Sequence, residues 1–86
     1  MEVKDKVIVV TGGASGIGKS LCERFAMDGA RAVVAADIDT AGLNSTLSSI
    51  ENNTNGLGLQ CDVSNEDAVK NLVSVTLREF GHIDLF

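Results

Sequence analysis

The chain has 86 residues, enough for one small domain with one hydrophobic core. Apolar residues make up 44% of it, a share typical of folded proteins and too high for intrinsic disorder. The net charge of −5 and the scattered positions of the basic residues argue against nucleic-acid or anionic-membrane surfaces, which need clustered Lys and Arg.

Neither the ends nor the cysteines of the sequence indicate export, membrane insertion or metal binding. No apolar run reaches the about 18 residues that a membrane-spanning helix needs. The charged residues 1–6 lead directly into a strand, so we expect no signal peptide and a cytoplasmic location. Cys22 and Cys61 lie far apart without metal-ligand spacing, so we expect two reduced thiols and no metal site.

The first half of the sequence predicts a strand, a glycine-rich turn, a helix and a second strand. Residues 6–10 form a short β-branched run typical of a buried parallel strand, and residues 11–16 form the turn. A helix is predicted from Ile17 to Asp28, ending at Gly29, and residues 31–36 form a second apolar strand that stops at Asp37. The predicted buried face of this helix comprises Ile17, Leu21, Phe25 and Ala26.

The second half predicts two more helices and a weaker strand. Asp39 or Thr40 can cap a second helix, and Ser64 can cap a third that ends at Gly81. Residues 57–61 form a third strand that ends before Asp62, and residues 83–86 open a fourth strand that the end of the sequence truncates. The predicted buried positions are Leu43, Leu47 and Ile50 on the second helix and Val69, Leu72, Val73, Thr76 and Phe80 on the third.

The order β-α-β-α-β-α, with a truncated fourth strand, predicts the α/β class. We expect a Rossmann-like parallel sheet with right-handed crossovers and helices on both faces. A ligand site of such a sheet lies at the carboxyl ends of its strands. Three of those ends are marked here by Gly12, Asp37 and Asp62, so the sequence predicts a binding site along this edge.

Two phosphate-binding patterns overlap in the glycine-rich turn. Residues 13–20 satisfy G-x4-G-K-[ST], the P-loop pattern, in which Lys19 would contact the terminal phosphates and Ser20 would hold Mg²⁺. Gly12, Gly16 and Gly18 instead form a dinucleotide turn whose glycines let the backbone approach a pyrophosphate. Asp37, nineteen residues after Gly18, favours the dinucleotide site, because an acidic residue there binds ribose hydroxyls. The P-loop remains the less favoured alternative.

Residues 11–18 resemble the T-G-x-x-x-G-x-G signature of the short-chain dehydrogenase/reductase family. Asp62-Val63 resembles the aspartate-apolar pair after the third strand of that family, and residues 81–86 resemble the lead into its fourth strand. The resemblance covers essentially the whole chain. It implies NAD(P)-dependent oxidoreduction of alcohols and carbonyls by hydride transfer, with residues 1–86 as the N-terminal half of a single NAD-binding Rossmann-like domain.

The resemblance also implies which residues bind the cofactor. Asp37 repels a 2′-phosphate, and no Arg or Lys occupies positions 13 to 16 or 38, so we expect NAD rather than NADP. The implied contacts are Gly12, Ser15, Gly16, Ile17 and Gly18 with the pyrophosphate and adjoining ribose, Asp37 and Ile38 with the adenosine ribose, and Asp62 and Val63 with the adenine.

The sequence departs from the family in lacking the reactive half of the site. The catalytic tyrosine, lysine, serine and asparagine of the family all lie beyond the fourth strand, and this chain contains no tyrosine. We therefore predict no catalytic residue here and no turnover by the chain alone; a substrate pocket and homo-oligomer contacts would belong to a full-length form. A short form that binds nucleotide without catalysis is the alternative. We also expect the truncated fourth strand to leave the first strand poorly covered.

Overall fold

The computed structural model describes residues 2–86. Met1, which belongs to the predicted domain 1–86 and to its charged N-terminus, lies outside the described residues. Three strands and three helices alternate along the chain. They are β1 (Val7–Thr11), α1 (Gly16–Met27), β2 (Ala32–Asp37), α2 (Thr40–Ile50), β3 (Asn55–Gln60) and α3 (Glu66–Phe80). Among these residues, the structure contains no helix with the length and hydropathy required to cross a membrane.

The three strands form one parallel sheet in the order β1-β2-β3, which confirms the predicted α/β class. Val34 on the central strand pairs with Val9 on one side and with Leu57 on the other. In the last register positions Thr11 pairs with Ala36 and Asp37 with Gln60, so the carboxyl ends of all three strands meet along one edge.

Helices cover both faces of the sheet, as predicted. On one face, Cys22 of α1 and Ile50 of α2 are buried in a cluster with Ile8. On the other face, Leu72 of α3 is buried in a second cluster with Val34. Burial of apolar surface on both sides stabilises the sheet at roughly 25 cal/mol per Å².

The predicted buried face of α1 is wrong at Ile17 and Leu21. Ile17 is 82% exposed and Leu21 is 42% exposed, whereas Ala26 is buried as predicted and Cys22 is buried with it. Ile17 lies beyond the carboxyl end of the sheet, where no strand is available to pack against it. Gly18, four residues before Cys22, lies on the same side of α1 and lets the start of the helix approach the backbone of Gly12 closely.

The helix caps confirm one predicted residue and correct another. The Asp39 carboxylate accepts a hydrogen bond from the Gly42 backbone N–H at 3.0 Å, as predicted for α2. The N-cap of α3 is Asn65, whose side-chain oxygen accepts from the Ala68 N–H at 3.1 Å. Ser64, the predicted cap, lies one residue before the N-cap, and its hydroxyl donates to Asp62 at 2.6 Å.

The fourth strand is reduced to a single parallel bridge between Ile8 and Leu85. The Val9 N–H donates to the Leu85 carbonyl at 2.9 Å, which places this segment beside β1. The expectation that β1 is poorly covered is wrong, since the four residues from Val7 to Val10 are at most 7% exposed. Side chains near both ends of the chain supply the cover, among them Val3 and Leu85.

A carboxylate ties the segment that follows α3 to the start of β1. One oxygen of Asp84 accepts from the Val7 N–H at 2.8 Å and lies 2.8 Å from Nε2 of His82. The Val7 N–H lowers the pKa of Asp84 below its ordinary 3.8; partial desolvation opposes this, and the charge of His82 adds to it.

We therefore expect Asp84→Asn to lower the free energy of unfolding at neutral pH. A carboxylate with a depressed pKa stabilises the fold fully above pH 3.8, and this contribution disappears as the pH falls through the folded-state pKa. Urea unfolding of both proteins between pH 7 and pH 3 should show the difference shrinking at the acid end. The exposed Glu79→Gln serves as a control, and an equal difference for Asp84→Asn at every pH would contradict this expectation.

Candidate functional site

The turn between β1 and α1 depends on glycine for its backbone conformation. Gly12 has φ of +71° and Gly16 has φ of +57°, values that other L-residues rarely adopt. A Cβ at either position would meet nothing within 4 Å. The backbone angles, rather than a shortage of space, therefore require glycine, and the turn faces an open region into which a ligand can enter.

Gly18 is required for a different reason, which is close packing. A Cβ on Gly18 would overlap the carbonyl oxygen of Gly12 and lie 3.1 Å from the backbone nitrogen of Gly13. The first turn of α1 therefore rests directly on the backbone of the turn. This contact brings together Gly12 and Gly18, two of the predicted pyrophosphate residues.

The N-terminus of α1 is free to bind an anion. Its N-cap, Ser15, makes no side-chain hydrogen bond to the helix, and its first turn contains no acidic residue. By contrast, Asp39 and Asn65 cap α2 and α3. First-turn N–H groups have no acceptor within a helix, and the helix dipole favours negative charge there. Ser15 and Ile17 are exposed beside these groups.

Asp37 ends β2 and bonds directly to the glycine-rich turn. Its Oδ2 accepts from the Ala14 N–H at 3.1 Å, and its Oδ1 accepts from the Asp39 N–H at 3.1 Å. A carboxylate has about four lone-pair sites, so both oxygens can still accept from a ligand hydroxyl. One side chain thus connects the turn with the adjacent strand end.

The residues predicted to bind the adenosine line one open cleft of about 170 Å³. Its walls are Gly12, Asp37, Ile38, Cys61, Asp62 and Val63. The cleft is smaller than the about 300–1,000 Å³ typical of enclosed ligand pockets, as an open half-site should be. The remaining predicted residues, from Ser15 to Gly18, lie outside the cleft along the start of α1.

Asp62 is fixed as an anion at the rim of this cleft. The Ser64 hydroxyl at 2.6 Å and the Ser64 N–H at 2.9 Å both donate to its carboxylate and lower the pKa of Asp62 below the ordinary 3.8. Val63 beside it is 59% exposed and offers an apolar surface. The pair therefore presents a charged acceptor and an apolar contact at the end of β3.

The sequence prediction missed two residues of α2 that support the turn. The Thr46 hydroxyl donates to the Gly13 carbonyl at 2.7 Å, and Gly42 lies so close to Ala14 that a Cβ would come within 2.8 Å of it. Thr46 shares the buried face of α2 with Leu43 and Ile50. A hydroxyl on an apolar helix face is a signal that the sequence does contain, although its partner is 33 residues away.

The geometry disfavours the P-loop alternative. Helix α1 begins at Gly16, in the middle of the pattern, whereas a P-loop wraps its backbone around the phosphates as a loop. Nζ of Lys19 donates to the hydroxyl of Ser45 on α2 at 3.0 Å. The described residues also contain no group of three or more His, Cys, Asp and Glu that could hold a metal ion.

A larger cleft, of about 500 Å³, lies at the amino end of β3 and contains none of the predicted site residues. It is lined by Leu47, Glu51, Thr54, Asn55, Gly56, Leu57, Glu79 and Phe80. We favour the smaller cleft as the site because only there do the carboxyl ends of the parallel strands meet a glycine-rich turn.

The chain is similar to known proteins of one family. Residues 6–86 match the family described as short chain dehydrogenase. Relatives include (+)-cis,trans-nepetalactol synthase NEPS1 of Nepeta racemosa, 43% identical over 98% of this chain and 30% of its own length. Secoisolariciresinol dehydrogenase of Forsythia intermedia is 39% identical over 96% of this chain and 29% of its own length.

Solved structures agree over the whole chain. A short-chain dehydrogenase/reductase from Burkholderia phymatum in complex with NAD matches with a TM-score of 0.93 and 34% identity, over 100% of this chain and 31% of that protein. NAD⁺-bound xylitol dehydrogenase matches with a TM-score of 0.92 and 32% identity, over 100% of this chain and 34% of its own. The chain therefore spans about a third of the length of the proteins it matches.

Proposed function

The chain belongs to the short-chain dehydrogenase family, and from this premise we propose that it supplies the adenosine and pyrophosphate subsites of an NAD-dependent oxidoreductase. Both NAD-complexed structures that match the chain do so over its full length. NAD, when bound, supplies the hydride acceptor for oxidation of an alcohol to a carbonyl. The two relatives named above are called a synthase and a dehydrogenase, so the family alone leaves the substrate open.

The observation that carries this proposal is the position of Asp37. Its carboxylate bonds to Ala14 in the glycine-rich turn and also lines the cleft shared with Asp62. A ligand that contacts both the N-terminus of α1 and these carboxylates would pair an anionic group with nearby hydrogen-bond donors such as sugar hydroxyls. An adenosine diphosphate moiety has this combination.

In this proposal each predicted residue has one role. First-turn N–H groups of α1 donate to the pyrophosphate, while Asp37 accepts from the ribose hydroxyls. Asp62 and Val63 hold the adenine, with Ile38 packing against the ribose and Ile17 next to the pyrophosphate. The residues assigned to the pyrophosphate and adjoining ribose are Gly12, Ser15, Gly16, Ile17 and Gly18.

Hydride transfer itself requires groups outside this sequence. The family uses a tyrosine as general acid/base, and the 86 residues include none. We propose that the chain by itself holds nucleotide without turnover, whether as part of a longer enzyme or as a non-catalytic short form. The substrate pocket and any homo-oligomer contacts would belong to the longer enzyme.

Heteronuclear NMR titration of the 86-residue chain tests the proposal. ADP contains the moieties that the chain is proposed to bind, so it should shift the amide signals of Gly12, Gly16 and Gly18 together with those of Ile38 and Val63. Adenosine, which lacks phosphate, should shift the signals of Ile38 and Val63 and leave those of Gly16 and Gly18 unchanged. Absence of any shift with ADP or NAD would overturn the proposal.

Lys19→Ala is the matched control for the P-loop alternative. Because Lys19 contacts Ser45 rather than the turn, its removal should leave ADP binding unchanged. Mg²⁺-dependent ATP binding that is lost in Lys19→Ala would instead establish the P-loop function.

A further inference from the structure

We propose that Thr46 is a positioning residue for the pyrophosphate subsite: from α2, its hydroxyl holds the glycine-rich turn in the conformation that binds phosphate. The inference rests on the proposed function and extends it to a helix that contributes no direct ligand contact. The hydrogen bond from Oγ1 of Thr46 to the Gly13 carbonyl is 2.7 Å long and fully buried.

The direction of this hydrogen bond is unusual for a helical threonine. A threonine inside a helix commonly satisfies its hydroxyl on the carbonyl four residues earlier in the same helix. Thr76, the other fully buried threonine among the described residues, does so by bonding to Leu72. Thr46 instead donates outside its own helix, to the turn that follows β1.

This hydrogen bond completes a set of three that fix two consecutive residues of the turn. The Gly13 N–H donates to the Ala36 carbonyl at 3.1 Å, the Ala14 N–H donates to Asp37 at 3.1 Å, and the Gly13 carbonyl accepts from Thr46. Glycine-rich backbone loses more conformational entropy on ordering than other sequences. A turn that is already fixed binds phosphate without bearing that cost at the moment of binding.

Close contact between α2 and the turn makes the hydrogen bond possible. Gly42, one turn before Thr46, lies against Ala14, and a Cβ there would come within 2.8 Å of the Ala14 carbonyl oxygen. Removing the hydroxyl would leave the Gly13 carbonyl oxygen without a hydrogen-bond donor in a place that water cannot easily reach. The turn would then relax, and the phosphate-binding N–H groups would move with it.

Thr46→Val removes the hydroxyl and keeps the shape of the side chain. We expect ADP to bind about tenfold more weakly than to the parent chain, because part of the cost of the unpaired buried Gly13 carbonyl falls on the ligand-bound turn. Adenosine, which does not use the turn, should bind equally to both. Thr46→Ser keeps the hydroxyl and should restore ADP affinity. NMR titration of each variant gives these affinities.

Thr76→Val is the matched control, because it makes the same substitution at an equally buried threonine whose hydrogen bond stays inside α3. It should leave ADP binding unchanged. Equal losses for ADP and adenosine in Thr46→Val, or no loss for either, would overturn the inference.

Should Thr46→Val not fold, Thr46→Ala and Thr46→Ser give the same comparison. Failure of both hydroxyl-free variants to fold would show that Thr46 has a purely structural role, and would overturn the inference. If the parent chain binds neither ADP nor adenosine, the proposed function fails instead.

Discussion

Gly18→Ala should weaken the binding of ADP and NAD by about a hundredfold or more. The new methyl group would overlap the carbonyl oxygen of Gly12, which is backbone and cannot rotate away. Either the turn or the start of α1 must therefore move. Overpacking of this kind costs about 1–3 kcal/mol or more, and a hundredfold loss corresponds to about 2.7 kcal/mol. The displaced N–H groups would no longer converge on the pyrophosphate.

Gly56→Ala provides the control for this substitution. A Cβ on Gly56 would lie 3.1 Å from a terminal methyl of Leu47, a side chain that can adjust, and the position is at the far end of the sheet from the turn. Thermal unfolding monitored by circular dichroism separates the loss of folding from the loss of binding. If Gly18→Ala folds and binds ADP within about threefold of the parent chain, the close contact between α1 and the turn does not matter for binding.

The fold was predictable because two of the three strands carry a strong local signal. Buried parallel strands read as continuous apolar runs, and β1 and β2 both do. Periodicity could not reveal where the sheet ends, so Ile17 was predicted as buried although it lies beyond the strands. The α3 cap is misplaced by one residue because Ser64 and Asn65 are adjacent and both are good cap residues, and the sequence alone does not distinguish them.

The site was predictable as far as topology determines it. A parallel sheet brings the carboxyl ends of its strands to one edge, so Asp37 and Asp62 had to lie near the glycine-rich turn. The support from α2 was not predictable in the same way. Whether Thr46 bonds within its helix or to Gly13 depends on the distance between α2 and the turn, which is set by tertiary packing.

Asp37→Asn should weaken NAD binding and remove the preference for NAD over NADP. The amide oxygen of Asn can still accept from the Ala14 N–H, so the turn should keep its conformation. The charge is lost, and with it both the charge-assisted hydrogen bonds to the ribose and the repulsion of a 2′-phosphate. We expect NAD affinity to fall about tenfold and the ratio of NAD to NADP affinity to fall by about the same factor. Asp37→Ala, which also removes the bond to the turn, should lose about 1–3 kcal/mol of NAD binding.

Asp39→Asn distinguishes a local contact of Asp37 from a general effect of charge. It raises the net charge of the chain by the same amount, two residues away, and Asn caps a helix as well as Asp does, so the bond to the Gly42 N–H is kept. If Asp37 recognises the ribose directly, Asp39→Asn should leave the ratio of NAD to NADP affinity nearly unchanged in competition titrations. Equal effects of the two substitutions would mean that the preference arises from the overall negative potential of the chain, and Asp37 would then be a residue that only supports the turn.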